Sequence, residues 1–300
     1  AGTAAELNTV NAGTTQAVTA SAVTTIESST ASALSTLMTA AQNAAQFTNN
    51  SFDNLGANAV TITGGTTIDV TDLNNAISGV NTVASGDVDL VFSADNNTTT
   101  INGGTATEFA TTLLNNKTNN KVSFSAINLT VDSGGVTTAQ ANNLTNATTG
   151  TVTATVSDGD LDTLAGTGGG DGLAARANAA LTVTVTDTAG TAAELNTVNA
   201  GTTQAVTITN ITAIEASTIG DINTLRTSLA SDFSGATNIA NVSVSGNTVD
   251  YTLLDAEINA FNLLNSPTAF ALAATTTVTL DDQSEVTDFI SDVTSDPALL

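Results

Sequence analysis

The sequence predicts an α/β repeat fold: a solenoid of short helix–strand units, about 27 to 30 residues each, with parallel strands. Three observations predict it. The block Ala1–Val18 recurs without a difference at Ala189–Val206. A shorter period runs inside that long one. Within each short unit, a capped stretch with helical spacing precedes a stretch that alternates between apolar and hydroxylated residues. An all-β sandwich array is the alternative.

The likeness continues past the identical block. Val23, Thr24, Ile26 and Glu27 correspond to Ile211, Thr212, Ile214 and Glu215, and Leu34, Thr36 and Leu37 correspond to Ile222, Thr224 and Leu225. After a short length change, the run from Thr67 to Thr71 matches the run from Thr248 to Thr252. The chain therefore divides into a first long repeat at 1–188 and a second, incomplete one at 189–300. The shorter period places Ala139–Thr153 on Ala193–Thr207, with Asn142, Thr148, Thr149, Val152 and Thr153 retained. A further alignment, shifted by 30, puts Leu114, Asn116, Thr118 and Val122 on Leu144, Asn146, Thr148 and Val152.

The helices come first in each unit. Thr3 with Glu6, Thr191 with Glu194 and Thr105 with Glu108 have capping-box spacing, in which the hydroxyl accepts a free amide and the glutamate reaches back. Gly13 and Gly201 fall where a left-handed residue would stop a helix. Between cap and stop, Ala4, Leu7 and Val10 keep helical spacing, as do Phe109, Leu113 and Leu114, and Leu254, Ile258 and Phe261.

The strands follow. Strict alternation marks Val60–Thr63, Val122–Ser125, Thr151–Val156, Leu181–Thr186, Val242–Ser245 and Thr277–Leu280, with one face apolar and the other hydroxylated. Strand, helix and strand in succession favour parallel pairing through right-handed crossovers.

Composition narrows the function. The chain has no Trp, one Tyr (Tyr251) and nine Phe, so its apolar residues are small and suit a thin interior. Its 41% hydrophobic content and regular alternation argue for burial rather than disorder. Against 28 acidic residues stand only Lys117, Lys121, Arg176 and Arg226, a net charge of −24. Nucleic acid is excluded as a partner, because a phosphate chain needs basic stripes. The chain has no Cys and no His, so disulfides, thiolate zinc sites and imidazole catalysis are excluded. No apolar run is long enough for a transmembrane segment, and no signal peptide opens the chain. Opening at Ala1 in mid-repeat, the sequence reads as a processed product or a window on a longer array.

Candidate sites are few. Asp158, Asp160 and Asp162 place three carboxylates at alternate positions, as the opening of a calcium loop does. Thr163 and Gly169 then stand where that loop needs a glycine and a bidentate glutamate, so a polar turn capping a helix at Leu161–Leu164 is the simpler reading. No cofactor is required by any motif, and calcium remains the one candidate ion. Asp281, Asp282 and Glu285 read as acidic residues at the start of a terminal helix. The run Thr167–Gly172 reads as a loop, because Asp171 occupies a position that a dinucleotide fingerprint reserves for glycine. Rows at Thr151, Thr153 and Thr155, and at Thr182, Thr184 and Thr186, would suit ice or a mineral only if the same face aligned in successive coils. Sequons at Asn97, Asn128 and Asn210 permit glycosylation and imply nothing more.

The run Thr191–Val198 followed by Thr202–Thr207, and again Val136–Ala141 through Thr148–Ala154, resembles the Thr/Ala/Asp-rich tandem repeats of very large secreted bacterial surface proteins, notably cyanobacterial ones. That resemblance implies an extracellular or cell-surface location and supplies no catalytic residues. The expectation is a non-enzymatic structural protein that joins copies of itself head to tail into a filament, sheath or surface layer, because open strand edges recruit further strands. The alternative is an adhesin or ice-binding module using a threonine-rich strand face, with cell-surface glycans among its partners.

Overall fold

The computed structural model describes residues 1–63, 66–92, 99–236, 239–246, 248–264, 268–273, 276–281 and 283–295. It is a mixed α/β protein in which every strand pairing among the described residues is parallel. Helices alternate with the strands along the chain, so the all-β alternative does not hold. The chain divides into two compact units, Ala1–Val136 with Asn143–Thr155, and Thr137–Asn142 with Val156–Leu300. The repeat boundary at Ala189 lies inside the second unit.

The first unit runs α1 (Ala4–Ala12), β1 (Ile26–Ser29), α2 (Ala31–Ala41), β2 (Val60–Ile62), β3 (Thr67–Asp69), α3 (Val70–Val83), β4 (Leu90–Phe92) and β5 (Thr100–Thr105). A π-helix (Glu108–Leu113) then leads into α4 (Leu114–Thr118), followed by β6 (Val122–Ser123), β7 (Asn128–Ser133), α5 (Thr138–Ala147), of which this unit holds Asn143–Ala147, and β8 (Val152–Thr155). One sheet has the order β1-β2-β4-β6, and in a second β3, β5, β7 and β8 are successive neighbours. Register follows the alternation: Val60 stands beside Leu90 and Leu90 beside Val122, all buried, while Thr61 pairs with Val91 on the opposite pleat.

Helix starts are set locally. Thr30 accepts from the Ala33 N–H, and Asp69 from the N–H groups of Thr71 and Asp72, satisfying donors that a helix leaves free. The helices bury Leu34, Leu37 and Met38 of α2 and Leu73, Ile77 and Val80 of α3. Gly79 is where α2 and α3 meet: a Cβ there would stand 2.3 Å from the Met38 Cβ, so no larger residue permits that approach.

The second unit continues with α6 (Leu161–Ala165), β9 (Ala179–Thr182), β10 (Ala189–Thr191), α7 (Ala192–Ala200), β11 (Val206–Thr207), β12 (Ala213–Ser217), α8 (Ile219–Leu229), β13 (Phe233–Ser234), β14 (Asn241–Val244), β15 (Thr248–Asp250), α9 (Tyr251–Leu264), β16 (Ala269–Leu272), β17 (Thr277–Thr279) and α10 (Gln283–Ser295). The order β10-β12-β14-β16 makes its main sheet, with β11-β13 and β15-β17 as two-stranded ribbons. Ile214, Val242 and Phe270 line up across that sheet and are buried, as are Leu195, Val198, Ile222 and Leu225 of its helices. Phe261 meets Phe270 edge to face at 5.7 Å, an arrangement the ring quadrupoles favour. The deeply buried carboxylate of Glu257 accepts from Arg226 Nε at 2.7 Å and Asn223 Nδ2 at 2.6 Å.

Three expectations are corrected in detail. Gly13 and Gly201 are right-handed, with φ of −80° and −78°, so neither helix ends in a left-handed residue; the Gly13 N–H instead bonds to Thr9 and Val10 carbonyls. The Thr105–Glu108 box forms, but it opens a π-turn in which the Leu114 N–H reaches the Phe109 carbonyl. The strand expected over Leu181–Thr186 ends at Thr182, leaving a single bridge from Thr184 to Thr207.

Candidate functional site

Among the described residues, the large apolar side chains left exposed fall on three helices. They are Val10 on α1 (55% exposed), Leu253 and Leu263 on α9, and Val286 and Ile290 on α10 (40% and 60%). Val10 is joined on α1 by half-buried Leu7 and, just past the helix, by exposed Gly13, Thr14 and Thr15. The main-chain groups of Thr19 make no hydrogen bond among the described residues, whereas its neighbour Val18 donates to the Gln46 carbonyl at 2.8 Å. In the other unit α10 rests on α9 through Phe289 against Tyr251, 5.5 Å apart, through the Tyr251 hydroxyl donating to Asp292 at 2.8 Å, and through Thr252 donating to Glu285. Burial and the Asp292 charge push the Tyr251 hydroxyl well above its ordinary range. Residues 285, 289 and 292 thus face α9, and Val286 and Ile290 lie one step round the helix.

The three aspartates are used separately. Asp158 accepts from the Thr138 N–H at 2.6 Å, Asp160 caps α6 by accepting from the Thr163 N–H at 2.9 Å, and Asp162 Oδ1 lies 3.0 Å from Thr167 Oγ1. The Thr163 hydroxyl and N–H hold the Asp160 carboxyl below its usual range. Among the described residues no group of three or more His, Cys, Asp or Glu side chains is placed so that it could hold a metal ion. Asp281 and Glu285 likewise meet at the start of α10, where the Asp281 N–H donates to Glu285; Asp282 lies outside the described residues.

Two features escaped the sequence reading. An open cleft of about 800 Å³ is lined by Phe92, Lys117, Val122 and Phe124. Lys117 sits 4.2 Å from the Phe124 ring centroid and donates to the Phe124 carbonyl, and burial lowers its pKa, so its charge is already engaged. Lys121 pairs with Asp87 across 34 residues of sequence, and Arg226 with Glu257 across 31. Neither arrangement leaves a local pattern, because the partners come from different elements.

The threonine rows alternate as expected: Thr151, Thr153 and Thr155 are exposed between buried Val152, Ala154 and Val156, and Thr182, Thr184 and Thr186 between buried Leu181, Val183 and Val185. Hydroxyls align across three neighbouring segments at Thr184, Thr207 and Ser234, with Ser234 Oγ 3.0 Å from Thr207 Oγ1. In the first unit the column Thr67–Thr100–Asn128 mixes threonine with an asparagine that itself accepts from the Thr151 N–H. Of the sequons, Asn97 lies outside the described residues, and Asn210 is exposed.

No helix among the described residues is long and apolar enough to cross a membrane. No protein-family model matches the chain, and no curated protein sequence matches it.

Proposed function

We propose that the chain is a non-enzymatic extracellular structural protein, a solenoid of helix–strand coils that joins copies of itself head to tail into a filament, sheath or surface layer. The observation that carries this reading is the chain-ordered parallel pairing, β1-β2-β4-β6 and β10-β12-β14-β16, with a helix between successive strands. Sheets of this kind stay open, and an open parallel edge accepts a further strand of the same hand. The resemblance to secreted surface repeats supports the location. The net charge of −24 supports assembly that requires screening by cations. An adhesin or ice-binding role is the second reading, supported by the hydroxyl column at Thr184, Thr207 and Ser234.

Electron microscopy of the concentrated chain, with and without calcium, tests the reading. Fibres or sheets are the expected result. Dispersed monomers under both conditions would overturn it, and thermal hysteresis by those monomers would favour the second reading.

A further inference from the structure

A chain without cysteine cannot staple its segments together with disulfides. Lys121, Asn81 and Asp87 supply the groups for a different covalent link. Lys121 Nζ donates to Asn81 Oδ1 at 3.1 Å and is paired with the Asp87 carboxylate. The orientation of the Asn81 amide is fixed by its other bonds: the Val88 N–H donates to Oδ1 at 3.3 Å, while Nδ2 donates to the Ile77 carbonyl at 3.0 Å and to the Val88 carbonyl at 3.2 Å. Three main-chain bonds therefore turn the carbonyl oxygen, and not the nitrogen, toward the lysine.

The backbone is held on both sides as well. Asn81 lies in the last turn of α3, and Lys121, just before β6, donates its N–H to the Asn116 carbonyl at 2.8 Å and accepts from the Leu90 N–H at 3.0 Å. The Lys121 side chain is only 20% exposed, whereas that of Asp87 is 95% exposed. All three residues line an open cleft of about 680 Å³. An amine and an amide free in water do not combine at a useful rate, but the same two groups held in contact react as parts of one molecule, with the encounter already made.

We propose that Lys121 and Asn81 form an intramolecular isopeptide bond, with Asp87 as the proton carrier. The Asp87 carboxylate takes one proton from the Lys121 ammonium, and the freed lone pair on Nζ attacks Asn81 Cγ. The negative charge that develops on Oδ1 is met by the Val88 N–H. As the Cγ–Nδ2 bond breaks, Nδ2 takes up the second proton that Nζ sheds and then the one held by Asp87, and departs as ammonium into the cleft. One C–N bond is made, one is broken, the carboxylate is regenerated, and no oxidant or co-reactant is needed. The product ties the end of α3 to the start of β6 across 40 residues of sequence, and constrains the unfolded chain as a disulfide closing the same loop would.

Intact-mass and tandem mass spectrometry of the purified whole chain test this. The wild type is expected to be lighter than its sequence by one ammonia and to yield, on digestion, a branched peptide joining residues 81 and 121. Lys121→Arg and Asp87→Asn are each expected to show the full sequence mass and no branched peptide, whereas Lys117→Arg, which changes the other lysine, keeps the link. Lys121→Arg, which retains the charge facing Asp87, is also expected to melt at a lower temperature than wild type. A wild type of full mass after prolonged incubation at mildly alkaline pH would overturn the proposal. So would a lighter chain without the branched peptide, because cyclisation of Asn102 onto the Gly103 nitrogen loses the same ammonia. A branched peptide that persists in Asp87→Asn would overturn the role given to Asp87.

Discussion

Helices α1 and α7 are one sequence in two surroundings. Their local structures coincide: each begins at a capping box, Thr3 with Glu6 and Thr191 with Glu194, and each spans nine residues. The bonds to the next segment coincide as well. Ala4 N–H donates to Ser29 Oγ at 2.7 Å where Ala192 N–H donates to Ser217 Oγ at 2.8 Å, and Asn8 and Asn196 each donate to a main-chain carbonyl 25 residues on, at 3.0 Å. Burial does not coincide. Val198 is fully buried and Val10 is 55% exposed; Leu195 is buried and Leu7 half-buried. Local conformation and contacts with the following segment thus travel with the sequence, whereas burial depends on which other segments lie against the helix.

That comparison can be broken by paired substitutions. The largest difference is expected from Val198→Asp against Val10→Asp. The first buries an unpaired carboxylate and should cost more than about 4 kcal/mol, whereas the second should fall within about 0.5 kcal/mol, read by chemical denaturation. Equal costs would mean that the two faces are covered alike.

Next comes glycine. Gly201→Ala drives a Cβ against Leu173 and should cost about 1–3 kcal/mol, while Gly13→Ala, at a right-handed φ with room around it, should stabilise by about 0.4–1 kcal/mol. Opposite signs in melting temperature are the expected readout.

The caps should behave alike, which sharpens the comparison from the other side. Thr191→Ala and Thr3→Ala should each cost about 1 kcal/mol, because the lost bond lies within the helix's own first turn. A cost at Thr191 several times that at Thr3 would show that capping too depends on the neighbour.

The smallest effect is pH dependence. Burial pushes the Glu194 carboxyl up, but the Thr191 N–H and the hydroxyls of Thr167 and Thr191 more than offset it, so its pKa lies below 4.5. At exposed Glu6 the Thr3 N–H and hydroxyl lower the pKa in the same way. A folded pKa below the unfolded one gives stability that is present above about pH 4.5 and lost as pH falls through the folded value. Glu194→Gln should therefore flatten the acid limb of a melting-temperature profile, and an unchanged limb would remove Glu194 as its source.

Much of the local architecture was legible in residue order. The capping boxes, the alternation at Thr151–Val156 and the cap at Asp160 all rest on groups a few residues apart, so spacing alone reveals them. The handedness at Gly201 was not legible: a glycine after a helix suits a left-handed stop, yet this one is needed so that Leu173 can approach. The Arg226–Glu257 pair and the cleft beside Phe124 were hidden for the same reason, since α8 and α9, or β4 and β6, must first be laid side by side.

By itself the sequence determined where helices start, which strand faces are apolar, and that one block occurs twice. Only the tertiary structure decided how deeply each residue of the block is buried, Val198 fully and Val10 in part. Capping and alternation are short-range, fixed by hydrogen bonds and geometry within a turn or a pleat, whereas removal of Val198 from water depends on atoms contributed by another segment. Identical residues must share the first property and are free to differ in the second.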